Sequence, residues 1–440
     1  MKKLTKKLAI LGGEAVRKEP FPPYPVIGEE EVAAVNEVLK SGHLSSFAAS
    51  RGPEFLGGRK VREFEEKFAE YHGVDYAIAV NSATAGLHIS LAAAGVGPGD
   101  EVIVPPYTFT STATSVLMHN AIPVFVDVDP KTFCLDPEKV ADAVTPSTKA
   151  IIPVHLLGHP AEMDSITRVA NEHDLTVVED CAQSPGAKYK GKLVGTIGDL
   201  GVFSFQETKN MMTGEGGMVI TNDPLLAERC RMVRNHGESV IAGAGKSRTY
   251  ISNIIGWNYR MTEIEAAIGI EQLKKLDKFN EIRIRNSKFL TKKLSKIKIN
   301  GVETPYEAPN VSHIFHVYGM RYDERAVGVQ REVFVAALNA EGIPFGTGYP
   351  HPLYENPLFK EQVAYGDKGC PFTCRFYNGG KAGLSYESGI CPVAEKLCYK
   401  TALWLFDIRP PATLEDMRDV VAAFTKIIEN IRQLQEREIK

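Results

Sequence analysis

The stretch Ser204-Phe-Gln-Glu-Thr-Lys-Asn-Met-Met-Thr-Gly-Glu-Gly-Gly217, running on into Met218-Val-Ile-Thr221, decides how this chain is read. It sets Lys209 between a short apolar strand and a glycine-rich turn. A lysine on an open surface is a solvated point charge. One held behind an apolar strand is partly desolvated, its pKa falls, and the neutral amine becomes able to form an imine. Taken alone the segment is ambiguous, because Gly214 to Gly217 serves equally well as a plain turn into the next strand.

Upstream of this segment, short apolar runs alternate with helical patterns from about residue 75 to 221. The runs are Tyr76-Ala-Ile-Ala-Val80, Glu101-Val-Ile-Val104, Pro123-Val-Phe-Val-Asp127, Ala150-Ile-Ile-Pro-Val154, Leu175-Thr-Val-Val178, Gly201-Val-Phe-Ser-Phe205 and Met218 to Thr221. Such alternation predicts an α/β fold with a mostly parallel sheet sandwiched by helices. Ligands in these sheets bind outside the carboxyl ends of the strands, so polar residues just after each run are the site candidates.

Further out, Phe21-Pro-Pro-Tyr-Pro25 is stiff and extended, Ile27 to Leu39 has helical periodicity, and Gly52 to Gly58 reads as a loop. Met261-Thr-Glu-Ile-Glu265 carries a capping-box pattern, Thr262 with Glu265, opening a long helix through Leu276 that leads out of the large domain. The remainder mixes helices with strands such as His316-Val-Tyr-Gly-Met320, holds a loop-rich stretch from Gly346 to Ser388, and closes on a helix from Leu414 to about Leu434. The expected division is an N-terminal segment with a large domain over 1–284 and a smaller α+β domain over 285–440.

Composition narrows the function. A net charge of −3 over 440 residues offers no basic field for nucleic acid or an anionic membrane. The apolar run near the N-terminus is too short for a signal segment and no stretch is long enough to span a bilayer, so a cytoplasmic protein is expected. The 7 cysteines fit reduced thiols. Cys370-Pro-Phe-Thr-Cys374 has a permissive zinc spacing, but Cys391 and Cys398 are too far apart to complete a usual site, and no metal is expected.

Three other places carry chemistry. Asp180 ends the run Leu175 to Glu179, where a buried carboxylate calls for a cation such as a protonated pyridine nitrogen; a helix N-cap or a structural ion pair is the alternative. Asn81-Ser-Ala-Thr-Ala-Gly86 opens an apolar helix with small residues, which suits a phosphate at the helix N-terminus or simple capping by Ser82 or Thr84. Phe109, in Tyr107-Thr-Phe109 after Pro105-Pro106, offers a flat face to a heteroaromatic ring or is plain core.

Phosphate turn, aromatic, carboxylate and lysine thus follow one another, each just after a strand. In this order the chain resembles the fold-type I pyridoxal-phosphate enzymes and, within them, the DegT/DnrJ/EryC1/StrS sugar aminotransferases. The resemblance runs from Gly57-Gly-Arg-Lys-Val-Arg-Glu-Phe-Glu65 to Pro392-Val-Ala-Glu395. Its most specific motifs are Val178-Glu-Asp-Cys-Ala-Gln-Ser-Pro-Gly-Ala187, Ser204 to Gly217, and Gly256-Trp-Asn-Tyr-Arg-Met-Thr-Glu-Ile-Glu265.

The resemblance implies pyridoxal 5'-phosphate as cofactor, Lys209 as the imine lysine, Asp180 facing the pyridine nitrogen and Gln183 near the ring hydroxyl. Phe109 would stack on the ring, and Ala83, Thr84 and Ser204 would hold the phosphate. Asn258 would reach the phosphate of a neighbouring subunit, implying a homodimer with shared active sites. Ala83 stands where many relatives have glycine, which is tolerable if the backbone there is not left-handed.

The implied activity moves an amino group from an amino acid, glutamate or glutamine as in relatives, to a keto-sugar, a nucleotide-linked keto-sugar or a cyclic ketone. A sugar dehydratase of the same fold would carry histidine at Lys209, and a non-catalytic protein on this scaffold would lack Lys209 or Asp180. A nicotinamide enzyme is disfavoured because Ala9-Ile-Leu-Gly-Gly13 lacks the third glycine of the dinucleotide fingerprint.

Gly346-Thr-Gly-Tyr-Pro-His-Pro-Leu-Tyr354 resembles a small-domain stretch that approaches the site in relatives, so Tyr349 and His351 either touch substrate or serve the turn. His313 matches a position often histidine in the family, or is a satisfied core histidine. Arg260 pairs with a substrate carboxylate or phosphate, or with a structural acid such as Glu263. The stretch from Val363 to Ser388, with Gly379-Gly380-Lys381, is the candidate for acceptor specificity.

Overall fold

Seven strands form the central sheet: β1 (Tyr76–Val80), β2 (Glu101–Val104), β3 (Ile122–Phe125), β4 (Thr148–Ile151), β5 (Thr176–Asp180), β6 (Leu200–Ser204) and β7 (Gly217–Thr221). They come from a computed structural model that describes residues 7–47, 53–238, 252, 254–297, 300–366, 368–377 and 385–438. Their order across the sheet is β1-β7-β6-β5-β4-β2-β3. All neighbours from β6 to β3 pair in parallel, while β7 runs against both β1 and β6. The reversal has a local cause: β6 reaches β7 without a crossover helix, and a parallel connection needs one. The connecting loop, 205–216, hangs at the carboxyl end of β6 and carries Lys209.

β2, β6 and β7 are buried along their whole length, as expected of a sheet covered on both faces. Helices α1 (Glu29–Ser41), α2 (Ala83–Ala93), α3 (Ser111–Leu117), α4 (Glu263–Leu294) and α5 (Leu414–Glu429) matter most below. α1 starts two residues later than its apolar pattern suggests because the Glu31 carboxylate accepts from Gly28 N–H at 2.7 Å and fixes the first turn there. The capping box of α4 forms as read: Glu265 N–H donates to Thr262 Oγ1 at 3.3 Å and Thr262 N–H to Glu265 Oε2 at 2.7 Å. The closing helix is shorter than its pattern, since α5 ends at Glu429 and the chain re-enters helix at Arg432.

The second part is a four-stranded antiparallel sheet of β8 (Val302–Glu303), β9 (Tyr318–Tyr322), β10 (Phe345–Gly346) and β11 (Ala402–Leu405), in the order β8-β9-β11-β10. α4 joins the two parts without a break. Ile270, Leu273 and Leu276 pack in a core under β7, Leu290 and Leu294 in the core of the smaller sheet. A division at 284 therefore falls inside this helix. Leu8, with Ile10, Leu11 and Phe21, also packs on the second core, so the N-terminal segment sits with the smaller part.

Candidate active site

The carboxyl edge of β5 sorts two adjacent acids onto opposite faces, as a strand must. Glu179, fully buried, accepts from Gly195 N–H at 2.8 Å, from Ile197 and Gly198 N–H at 2.7 Å each, and from His155 Nε2 at 2.8 Å. Ala161 N–H donates to His155 Nδ1 at 2.9 Å, which leaves the proton on Nε2 for Glu179. Burial alone would raise the Glu179 carboxyl; the hydrogen bonds from His155 and the glycine amides overcome it and hold the carboxyl below its ordinary value. Cys181 lies close enough to His155 and Glu179 to resemble a metal site, but the carboxylate is already engaged on four donors and the trio reads as a structural tie.

Asp180, on the other face, accepts from Thr112 Oγ1 at 2.9 Å and from Ala182 N–H at 3.1 Å. Burial pushes its carboxyl up, and those two hydrogen bonds and the Lys209 charge compensate only in part. Asp180 is thus neither a helix N-cap nor one half of a contact ion pair. Lys209 answers it: burial pushes the ammonium down, and the Asp180 charge pulls partly back. A buried carboxylate still short of cationic compensation faces a lysine eased toward its neutral form.

The loop that holds Lys209 is fastened from three directions. Tyr24, in the Pro-rich N-terminal segment, donates its hydroxyl to the Lys209 carbonyl oxygen. Asn210 Nδ2 donates to Asn280 Oδ1 of α4 at 2.8 Å, so its oxygen faces His316, whose Nδ1–H donates to it at 2.9 Å. His316 is buried, and burial followed by the charges of Lys209, Arg283 and Arg409 keeps it neutral, well below its ordinary pKa. Thr112, Tyr24 and the Asn210–His316 pair were not singled out from the sequence, where only polar residues inside otherwise apolar stretches mark them.

At the end of β1, Ser82 caps α2 by accepting from Ala85 N–H at 3.1 Å, which leaves the Ala83 and Thr84 amides at the open N-terminus. Ala83 is the first helical residue and not left-handed, so its methyl is accommodated. Gly217 of β7 lies against this turn so closely that a Cβ there would stand 2.7 Å from Ala83 N. Ser204, at the end of β6 and 6% exposed, brings a hydroxyl to the same edge. Phe109, just after β2, is 62% exposed, whereas Tyr107 beside it is core.

Gln183 bridges the two parts: its Oε1 accepts from Leu157 N–H at 2.8 Å and its Nε2 donates to Tyr349 Oη at 3.2 Å. Tyr349 therefore joins the cluster. His351 is bound inside its own loop, Nε2 to Asn356 Oδ1 at 2.9 Å. His313 is a core histidine, accepting from Phe315 N–H at 3.1 Å and stacked on the Phe315 ring at 3.8 Å, and burial holds it well below its usual pKa.

Asn258 is exposed, and its Oδ1 accepts from Arg260 Nε at 2.9 Å. Arg260 also donates to Asn235 Oδ1 at 3.3 Å and does not pair with Glu263, which instead accepts from Lys60 and Val61 N–H at 2.8 and 3.2 Å. Those amides open a helix, and a carboxylate is favoured there over a guanidinium partner.

One expectation is corrected. Tyr365 donates to Leu117 O at the end of α3, Tyr377 to Glu101 at the start of β2, and Tyr386 to Pro123 O in the first half of β3. The described residues of 363–388 are thus moored at the amino ends of the strands, opposite Lys209, because the buried Tyr377 and Tyr386 and the exposed Tyr365 find acceptors there; they do not line the site. Gly379-Gly380-Lys381 lies outside the described residues.

Comparison with known proteins follows this geometry. The model of the DegT/DnrJ/EryC1/StrS aminotransferase family matches residues 25–382. The chain belongs to this family. An L-glutamine:2-deoxy-scyllo-inosose aminotransferase of Streptomyces fradiae is 38% identical over 432 residues, 96% of this chain and 97% of that protein. GDP-perosamine synthase of Caulobacter vibrioides is 44% identical over 302 residues, covering 69% and 79%. A crystal structure of DesV from S. venezuelae with a ketimine intermediate superposes with a TM-score of 0.77 at 31% identity, covering 93% of this chain and 99% of that one.

The protein is a fold-type I, pyridoxal-phosphate-dependent aminotransferase of this family. The residues fit that cofactor: a desolvated lysine amine, an incompletely compensated buried carboxylate, a helix N-terminus with open amides and an exposed aromatic ring meet at one edge of the sheet. No helix among the described residues is long and apolar enough to cross a membrane.

Proposed function

We propose that Lys209 and Asp180 carry the transfer of an amino group from glutamate or glutamine to a keto-sugar, a nucleotide-linked keto-sugar or a cyclic ketone. The placement of Lys209 on the loop after β6 beside the buried Asp180 at the end of the neighbouring parallel strand β5 is the observation that carries this reading. When bound, the cofactor supplies an electron sink for charge developing at the donor's α-carbon.

The chain supplies the rest. The Ala83 and Thr84 amides with the Ser204 hydroxyl would hold the phosphate, Phe109 would offer its exposed ring to the heteroaromatic ring, and Gln183 would lie toward the ring oxygen. Asp180, steadied by Thr112 and Ala182, would keep the pyridine nitrogen protonated. Lys209 would hold the cofactor through its amine and, once free, would serve as the base and acid that moves a proton at the donor's α-carbon.

Asn258 serves the neighbouring subunit of a homodimer. Its exposure beside Ile254 and Ile255, 38% and 79% exposed, supports a second copy covering that loop and Phe109. Free cysteines, five of them buried, support a reducing, cytoplasmic setting. The acceptor class rests on the names of the relatives, which act on a cyclic ketone or belong to nucleotide-sugar synthesis.

The test is the visible spectrum of the cofactor-loaded protein with glutamine, glutamate or alanine added singly and no acceptor. One donor is expected to bleach the yellow band; a band that answers none of them would overturn the donor assignment. Asp180→Asn removes the charge while keeping the shape. Turnover should fall by about 10²–10³-fold, the usual size of one lost electrostatic contact in a dry site, with cofactor content retained. Turnover within tenfold of wild type would remove Asp180 from the mechanism.

A further inference from the structure

Gln183 is a large-domain amide whose orientation is set from both ends. Leu157 N–H can only be received by oxygen, which assigns Oε1 to that side at 2.8 Å. The NH₂ end then faces Tyr349, whose Oη accepts at 3.2 Å. One amide hydrogen is thereby engaged and the second remains, on a turn that starts at Asp180 and is closed by Ser184 N–H to Cys181 O at 2.9 Å. Gln183 is only 8% exposed, so that second hydrogen has little water to meet.

Tyr349 enters from the smaller part, just after β10, and is held firmly. Its ring meets Tyr107 edge-on at 5.2 Å and Trp404 at 5.0 Å between centroids. Gly348 before it has φ +81°, and a Cβ there would stand 2.4 Å from Tyr107 Oη. Leu353 N–H, four residues on, donates to Pro106 O at 2.9 Å and ties the same stretch to the carboxyl end of β2. Burial raises the phenol pKa, so the hydroxyl stays neutral and remains an acceptor for the amide.

We propose that Tyr349 is a positioning residue rather than a substrate contact: it fixes the Gln183 amide so that its remaining N–H donates to the ring oxygen of the bound cofactor, and so sets the pH at which the lysine-linked cofactor takes up its proton. This rests on the cofactor placement proposed above. A donor on the ring oxygen stabilises that oxygen as the anion without help from a protonated imine, so the imine proton leaves at lower pH. Without Tyr349 Oη the amide can turn, the donor is lost, and the proton is held to higher pH. The smaller part would thus act on the cofactor without touching it.

The experiment is a pH titration of the visible band of holoprotein for wild type, Tyr349→Phe, Gln183→Leu and the double variant. Phenylalanine keeps the ring packing, and Gln183→Leu tests the same link from the other side should Tyr349→Phe not fold. Both single variants are expected to move the transition upward by roughly half to one pH unit, the size of one hydrogen bond, and the double variant no further than Gln183→Leu alone. A purely structural Tyr349 would change thermal stability and leave the transition in place. A shift in Gln183→Leu with none in Tyr349→Phe overturns the proposal, as does a Tyr349→Phe shift that adds fully to that of Gln183→Leu. A wild-type protein that forms no lysine-linked band overturns the underlying cofactor placement itself, which separates the two failures.

Discussion

Lys209→Ala is expected to lower kcat by about 10⁴-fold or more, because one side chain both holds the cofactor and moves the proton, and roles acting as a unit are lost together. The side chains nearby cannot stand in. His316 donates its Nδ1 proton to Asn210 and is kept neutral by burial and, once Lys209 is gone, still by the charges of Arg283 and Arg409. Tyr24 gives its hydroxyl to the backbone oxygen of residue 209, a bond that survives the substitution and should keep the loop in place. Cofactor should still bind through the α2 amides, Ser204 and Asp180, but without the yellow lysine-linked band. Single-turnover transfer measured with donor alone checks this, and a loss of only tenfold would show that another group is the base.

The second large effect is on stability. Glu179→Ala leaves three buried or part-buried backbone amides and the fully buried His155 Nε2–H without an acceptor. At about 1–3 kcal/mol for each unsatisfied group, the loss is on the order of 5 kcal/mol, comparable with the whole stability of many proteins. The denaturant midpoint should fall steeply or the variant should fail to accumulate as soluble protein; an unchanged midpoint would show that the amides find other partners.

The same carboxylate predicts a pH dependence. Its folded pKa lies below the ordinary value, so its stabilisation is complete above the unfolded pKa and is lost as pH falls through the folded one. The difference in stability between wild type and Glu179→Gln should therefore shrink in acid and be constant near neutrality. Because Glu179 and Asp180 are adjacent, loss of Glu179 should also displace Asp180, whereas Asp180→Asn should affect chemistry with little effect on folding.

Much of the fold was legible because local signals and tertiary demands agree. The seven apolar runs became the seven strands, two with the same bounds and five shifted by one to three residues at one or both ends, since strand limits depend on which partner amides are in reach. The α4 capping box was legible because it is local, with both partners within three residues. The placement of Val363 to Ser388 was not. Its length and aromatic content are compatible with any edge of the sheet, and only the acceptors at Leu117, Glu101 and Pro123 decide which. Arg260 misled for a similar reason: proximity in sequence favoured Glu263, yet that carboxylate finds two helix-opening amides from a segment some 200 residues away.

The sequence by itself determined the order of the chemistry: a helix N-terminus after β1, an aromatic after β2, a carboxylate ending β5 and a lysine after β6. Strand alternation and short connections force each of these to the same edge of one sheet. Tertiary structure alone decided how those groups are held and tuned. The burial that eases Lys209 toward its neutral form, the two donors on Asp180, the Tyr24 and Asn210 ties on the lysine loop and the reach of Tyr349 to Gln183 all join residues distant in the chain. Desolvation and hydrogen-bond geometry depend on the whole surrounding volume, and no run of neighbouring residues specifies that volume.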